Sequence, residues 1–198
     1  MTDSIYRTKE RIKQTGEVFT SLELVDEILS KLPEEVWSPD KTFLEPSCGS
    51  GNFLVRIIAW KIWKGSTAKE ALETTFAVDF MEDNVLHAQQ RTLTAAFAAE
   101  VRRASGIQTR LPPQDLKLEL DVGRGKWDTI ARELDLPTHD KFCDEYFPIV
   151  EQNIVYHNAL TYCYRFGDST AEVTPPQSKD GQCECDLCTK EREELPND

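Results

Sequence analysis

The stretch Phe43-Leu44-Glu45-Pro46-Ser47-Cys48-Gly49-Ser50-Gly51-Asn52-Phe53-Leu54 constrains this chain more than any other. A short apolar strand runs into a turn with two glycines and straight on into an apolar helix. Gly49 and Gly51 can take backbone angles that other residues resist, and they leave no Cβ between the main chain and a ligand lying across it. The turn also delivers such a ligand to the free N–H groups of a helix N-terminus. It therefore predicts a cradle for a nucleotide-type cofactor, although an ordinary strand-to-helix turn uses glycine in the same way.

The surrounding pattern repeats the same unit. Thr20 with Glu23 three residues on predicts a reciprocal cap, opening a helix with Leu24, Val25, Ile28, Leu29 and Leu32 on one face and Pro33 as its stop. The helix after the glycine turn runs from about Asn52 to Lys64, ends at Gly65 and should lay an apolar face on a sheet. Thr67 and Glu70 form a second cap signature for a short helix through Leu72, and Thr74 to Asp79 reads as a buried strand closed by a carboxylate. A long helix follows from about Glu82 toward Val101, and Asn153 to Asn158 returns to strand character. Strand, helix, strand, helix is the order of a parallel α/β sheet, with Glu45, Asp79 and Asn158 at the edge where such sheets bind ligands. The stretch 103–152, with Pro112, Pro113, Gly123 and Gly125, reads as an irregular insertion carrying short helices at Trp127–Leu134 and Phe142–Val150.

Length and charge bound the rest. A chain of 198 residues suffices for one domain with a real core. We expect a charged arm at 1–15, a cofactor-binding domain at 16–170 and an acidic tail at 171–198. No apolar run approaches the roughly 20 residues that span a bilayer, and the start is too polar for a signal peptide, so a cytoplasmic placement is expected. A net charge of −12 makes the chain a poor DNA binder on its own, because such affinity rests on Lys and Arg neutralising phosphates.

The residues resemble a family, the class I S-adenosylmethionine-dependent N6-adenine DNA methyltransferases of restriction-modification systems and their phage relatives. The resemblance runs from about Gly16 to Phe166. Thr15-Gly16-Glu17-Val18-Phe19-Thr20 is similar to the segment that contacts the methionine end of the cofactor, and Glu45-Pro46-Ser47-Cys48-Gly49-Ser50-Gly51 to the Asp-Pro-Ala-Cys-Gly-Ser-Gly loop. Val78-Asp79-Phe80-Met81-Glu82-Asp83-Asn84-Val85 resembles the ribose-binding strand end, and Asn153 to Leu160 the strand whose last acidic residue meets the adenine. The resemblance implies a Rossmann-like, doubly wound, mostly parallel sheet, complete or truncated. It puts S-adenosylmethionine against Phe19, Thr20, Glu45, Pro46, Gly49, Gly51, Asn52, Phe53, Asp79, Phe80, Asn158 and Ala159. The implied setting is a prokaryotic or phage-infected cell.

Two departures stand out. Asn158 replaces the usual aspartate; its amide oxygen still accepts a hydrogen bond from an adenine amino group but brings no charge. The family's catalytic motif, Asn or Asp, Pro, Pro, then Tyr or Phe, is not recognisable, since Thr174-Pro175-Pro176-Gln177 lacks both the amide or carboxylate and the aromatic ring. That motif accepts the N–H bonds of a flipped adenine and stacks its ring, so the catalytic residues stay unassigned. The reading is a cofactor-binding half that needs a protein partner for the catalytic motif and for target recognition. The alternative is a non-catalytic S-adenosylmethionine-binding or acidic DNA-mimic protein that regulates a restriction-modification or methyltransferase partner.

The tail adds a separate feature. Cys183, Cys185 and Cys188 place three of the six cysteines within six residues, a spacing that can chelate zinc with Cys163, Cys143, His157 or a second chain as fourth ligand. Unstructured thiols account for the same cluster. Cys48, inside the loop, reads as a packing residue rather than a nucleophile.

Overall fold

In a computed structural model of the protein, residues 12–13, 19–106 and 124–160 are described. The elements run α1 (Leu22–Leu29), a 3-10 turn (Glu34–Trp37), β1 (Phe43–Glu45), α2 (Asn52–Trp63), α3 (Ala68–Glu73), β2 (Thr75–Asp79), α4 (Glu82–Ala104), α5 (Arg124–Glu133), α6 (His139–Asn153) and β3 (Ile154–Tyr156). The three strands form one sheet in the order β1-β2-β3, and both pairings are parallel. The register sets Glu45 beside Ala77 and Asp79 beside Tyr156, so the C-terminal ends of all three strands share one edge. The chain is thus an α/β protein with a small parallel sheet, an arrangement compatible with a Rossmann-like fold.

The second helix organises the interior. Its apolar residues go all the way round, and such a helix must be buried. Leu54, Ile58 and Ile62 join the main core with Leu72, Ala77, Phe97 and Ile154. Ile57 and Trp60 belong to a second cluster with Val25, Leu29 and Trp37, and Val55 and Ala59 to a third with Ala95. The expected single apolar face against a sheet therefore understates α2, which packs on several sides at once. Trp37 stacks between Phe43 and Trp60 at centroid distances of 5.1 and 4.9 Å, which fastens the turn before β1 onto α2.

Two cations are buried on α2, and each has its acceptor. Arg56, 2% exposed, pairs with Asp26 of α1 at 2.5 Å. Lys61 donates to the Lys41 carbonyl at 2.6 Å, tying the chain just before β1 to the helix, and burial lowers its pKa. The helices α5 and α6 enter the main core through Trp127, Ala131, Phe142 and Val150. Asn153 closes α6 by donating to the Leu72 carbonyl at 3.0 Å.

One cap differs from expectation. The N-cap of α1 is Ser21, whose hydroxyl accepts from the Leu24 N–H at 3.3 Å, rather than Thr20 paired with Glu23. The reason lies outside the helix: the Thr20 carbonyl is drawn to Asn52. The cap at Thr67 and Glu70 forms reciprocally as expected, with Glu70 N–H to Thr67 Oγ1 at 3.1 Å and Thr67 N–H to Glu70 Oε2 at 2.8 Å.

Candidate functional site

The glycine turn leaves β1 and enters α2 with Gly49 at φ +52° and Gly51 at φ +88°, both in the left-handed region that L side chains resist. Each position is also crowded. A Cβ on Gly49 would stand 3.0 Å from the Phe19 ring, and one on Gly51 would stand 3.1 Å from the Cα of Ala88 on α4. The turn is thus pressed between the N-terminal segment on one side and the long helix on the other.

Three separated segments converge there. The Asn52 amide donates to the Thr20 carbonyl at 2.7 Å, which holds Phe19 and Thr20 against the loop across 32 positions of sequence. From the neighbouring strand, the Asp79 carboxylate accepts from the Gly49 N–H at 2.7 Å. The other carboxylate oxygen of Asp79 accepts from the Met81 N–H at 2.9 Å and the Asn84 amide at 3.1 Å. Asp79 is buried, 6% exposed, and these charge-assisted bonds keep it so.

Glu45 closes β1 beside this group, and its carboxylate accepts from the Ser47 N–H at 3.2 Å. Burial pushes its pKa up and the negative charge of Asp79 adds to the rise, while the Ser47 bond opposes both. The Cys48 thiol is buried, and burial together with the charges of Asp79 and Glu45 pushes its pKa far up. It stays a thiol and serves as packing. Pro46 is exposed on the turn and Phe53 is partly buried in the first turn of α2, against the Trp37 cluster.

Phe80, directly after Asp79, is 63% exposed. His157 donates its backbone N–H to the Asp79 carbonyl at 2.9 Å, which brings the end of β3 to the same edge, and burial lowers the pKa of its ring. Asn158 and Ala159 follow, both partly buried, with the Asn158 side-chain oxygen accepting from the Leu160 N–H at 3.0 Å.

Of the residues expected at the site, Phe19, Thr20, Glu45, Gly49, Gly51, Asn52 and Asp79 are linked by the contacts above. Phe80 follows Asp79 at the end of β2, Asn158 and Ala159 follow β3 at the same edge, and Pro46 and Phe53 flank the turn. Asn84 lies in the segment that resembles the ribose-binding strand end but was given no role, and Ala88 and Arg91 of α4 were not singled out at all. The Arg91 guanidinium donates to the Ser50 carbonyl at 2.6 Å and to its hydroxyl at 3.0 Å. Their i, i+4, i+7 spacing, which puts them on one helical stripe, was the available signal.

Cys183, Cys185, Cys188 and Cys163 lie outside the described residues, as does the segment 174–177. Among the described residues no group of three or more His, Cys, Asp or Glu could hold a metal ion. Nor is any helix among them long and apolar enough to cross a membrane. No protein-family model, no curated protein and no solved structure matches the chain.

Proposed function

We propose that the chain binds S-adenosylmethionine at the edge formed by the glycine turn, Asp79 and the end of β3, as the cofactor half of an adenine-N6 DNA methyltransferase of the class I fold. The observation that carries this reading is the convergence of Phe19, Gly49 and Asp79, which join the N-terminal segment, the loop and the second strand. An S-adenosylmethionine molecule has a charged amino-acid end, a ribose and an adenine, and the edge offers a counterpart to each. In this reading Phe19, Thr20 and the start of α2 meet the amino-acid end, and the N–H groups of a helix N-terminus suit its carboxylate. Asp79, whose carboxylate already accepts from Gly49, Met81 and Asn84, is the acceptor for one ribose hydroxyl. Phe80 gives the adenine an exposed ring to stack on, and Asn158 gives its amino group an acceptor.

Base handling falls to a partner in this reading, because no Asn/Asp-Pro-Pro-Tyr/Phe segment is recognisable in the sequence. That partner supplies the groups that accept the adenine N–H bonds and the contacts that choose the DNA site. If methyl transfer occurs, the loop and Asp79 fix the cofactor while the partner presents the nucleophile. A second reading, an acidic non-catalytic regulator of a methyltransferase partner, draws on the net charge of −12.

The test has two stages. Ultraviolet cross-linking with methyl-tritiated S-adenosylmethionine should label a peptide within 19–53 or 76–81, and labelling should be competed by S-adenosylhomocysteine. Transfer of the tritiated methyl group to unmethylated DNA is then measured with the chain alone and with extract of its host. Transfer only with extract supports the cofactor half; labelling without transfer in either case makes the chain a non-catalytic S-adenosylmethionine-binding protein; absence of labelling contradicts the cofactor reading and leaves the acidic regulator.

A further inference from the structure

We propose, on the reading that the loop holds S-adenosylmethionine, that Arg91 is a positioning residue which keeps the glycine turn open to its ligand by occupying the Ser50 carbonyl. The two residues are 41 positions apart, and the guanidinium reaches both the carbonyl, at 2.6 Å, and the hydroxyl, at 3.0 Å. Ser50 is 4% exposed, so the bond is charge-assisted and poorly reached by water, which strengthens it.

The consequence follows from what that carbonyl does without Arg91. Ser50 stands four residues before Leu54, so its carbonyl is the acceptor that the Leu54 N–H meets if α2 begins one residue earlier. In the structure the first bond into α2 closes on Gly51 instead, with Val55 N–H to the Gly51 carbonyl at 3.0 Å. The Gly51 N–H turns back to the Cys48 carbonyl at 2.8 Å, which completes a tight turn rather than a helical one. The left-handed Gly51 breaks the helix at this point, and Arg91, by holding the Ser50 carbonyl, keeps the loop in that turn so that α2 does not wind upward into it. The N–H groups at the start of α2 are thereby kept for a ligand.

Arg91 does not act alone. Asn84, Ala88 and Arg91 form one stripe along α4, and each meets a different part of the site: Asn84 the Asp79 carboxylate, Ala88 the Gly51 backbone, Arg91 the Ser50 carbonyl. The long helix is a rail against which the loop is shaped before any ligand arrives. Pre-shaping of this kind raises affinity by removing the ordering cost from the binding step.

The experiment compares wild type, Arg91→Ala and Arg91→Lys by amide exchange read by NMR without ligand, and by calorimetric titration with S-adenosylmethionine. Without ligand, Arg91→Ala should slow exchange at the Leu54 amide as it bonds to Ser50, while general loosening would speed exchange along the whole of α2. Affinity should fall about tenfold or more in Arg91→Ala and about threefold in Arg91→Lys, which retains one donor without the planar fork. Faster exchange throughout α2, or Arg91→Ala binding within about twofold of wild type, overturns the proposal. If Arg91→Ala does not fold, Arg91→Lys alone decides, and unchanged affinity in that variant counts against the clamp. A wild type that binds no S-adenosylmethionine overturns the cofactor reading instead, and the ligand-free Leu54 exchange still decides the role of Arg91.

Discussion

The carboxylate of Asp79, last residue of β2, accepts the backbone N–H of Gly49 at 2.7 Å, and so a strand end and a loop 30 positions apart are locked together. The same side chain also serves Met81 and Asn84, and it is buried. Asp79 is therefore a structural latch as well as the proposed ribose acceptor. Replacing it with alanine strands three donors at once, and the loss should reach about 2–4 kcal/mol of stability by urea denaturation. Asp79→Asn keeps one acceptor oxygen and should lose less, so a larger loss for Asn than for Ala would contradict the latch.

The two loop glycines should respond differently to alanine. At Gly49 the new methyl meets the ring of Phe19, a side chain that can swing aside. At Gly51 it meets the Cα of Ala88, which belongs to a helix backbone and cannot. We expect Gly49→Ala to cost about 1–2 kcal/mol, mostly left-handed strain, and Gly51→Ala about 2–4 kcal/mol because overpacking is added. Equal losses in chemical denaturation would show that α4 does not press on the turn.

Glu45 gives a dependence on pH whose sign is fixed. Its folded pKa lies above its usual value because of burial first and Asp79 second. The favourable contribution of the protonated group is complete below the unfolded pKa and is lost as pH rises through the folded value. Glu45→Gln, which keeps an oxygen for the Ser47 N–H, should therefore raise Tm at pH 7, by less than about 4 °C given the partial exposure of the group. The gain should vanish near pH 4, where the wild-type carboxyl is protonated. A variant that melts lower than wild type at pH 7 would reverse the argument.

The buried pair between α1 and α2 should be asymmetric under mutation. Asp26→Ala leaves the Arg56 guanidinium in the interior without its carboxylate, and the expected loss is about 3 kcal/mol. Replacing both, with Asp26→Leu and Arg56→Met, should recover most of it, because the double change removes the stranded charge. A double variant as unstable as Asp26→Ala would place the cost in packing instead.

Much of this arrangement was legible in the sequence, and the particular misses explain the limits. Thr67 and Glu70 declared their helix because a reciprocal cap is local chemistry, and the glycine turn declared a strand-to-helix join for the same reason. The cap of α1 was misplaced by one residue: Ser21, the stronger cap, takes the position, while the Thr20 carbonyl accepts from Asn52, a bond 32 positions long that the sequence does not show. Arg91 reads as one more charge on a mixed helix until the fold sets it against Ser50, 41 positions away. Residues that act through their own neighbours can be read from a chain, as Asn84 with Asp79 five positions before it could have been, whereas Ala88 and Arg91 meet Gly51 and Ser50 far off in sequence and needed the packing.

The central claim, that this edge holds S-adenosylmethionine, is tested most directly by calorimetric titration of the whole chain, with Asp79→Asn as the paired variant. The account predicts saturable one-to-one binding by wild type, weakened about tenfold or more in a variant that circular dichroism shows to be folded. Absence of binding by the folded wild type, or equal affinity in the two proteins, would contradict it.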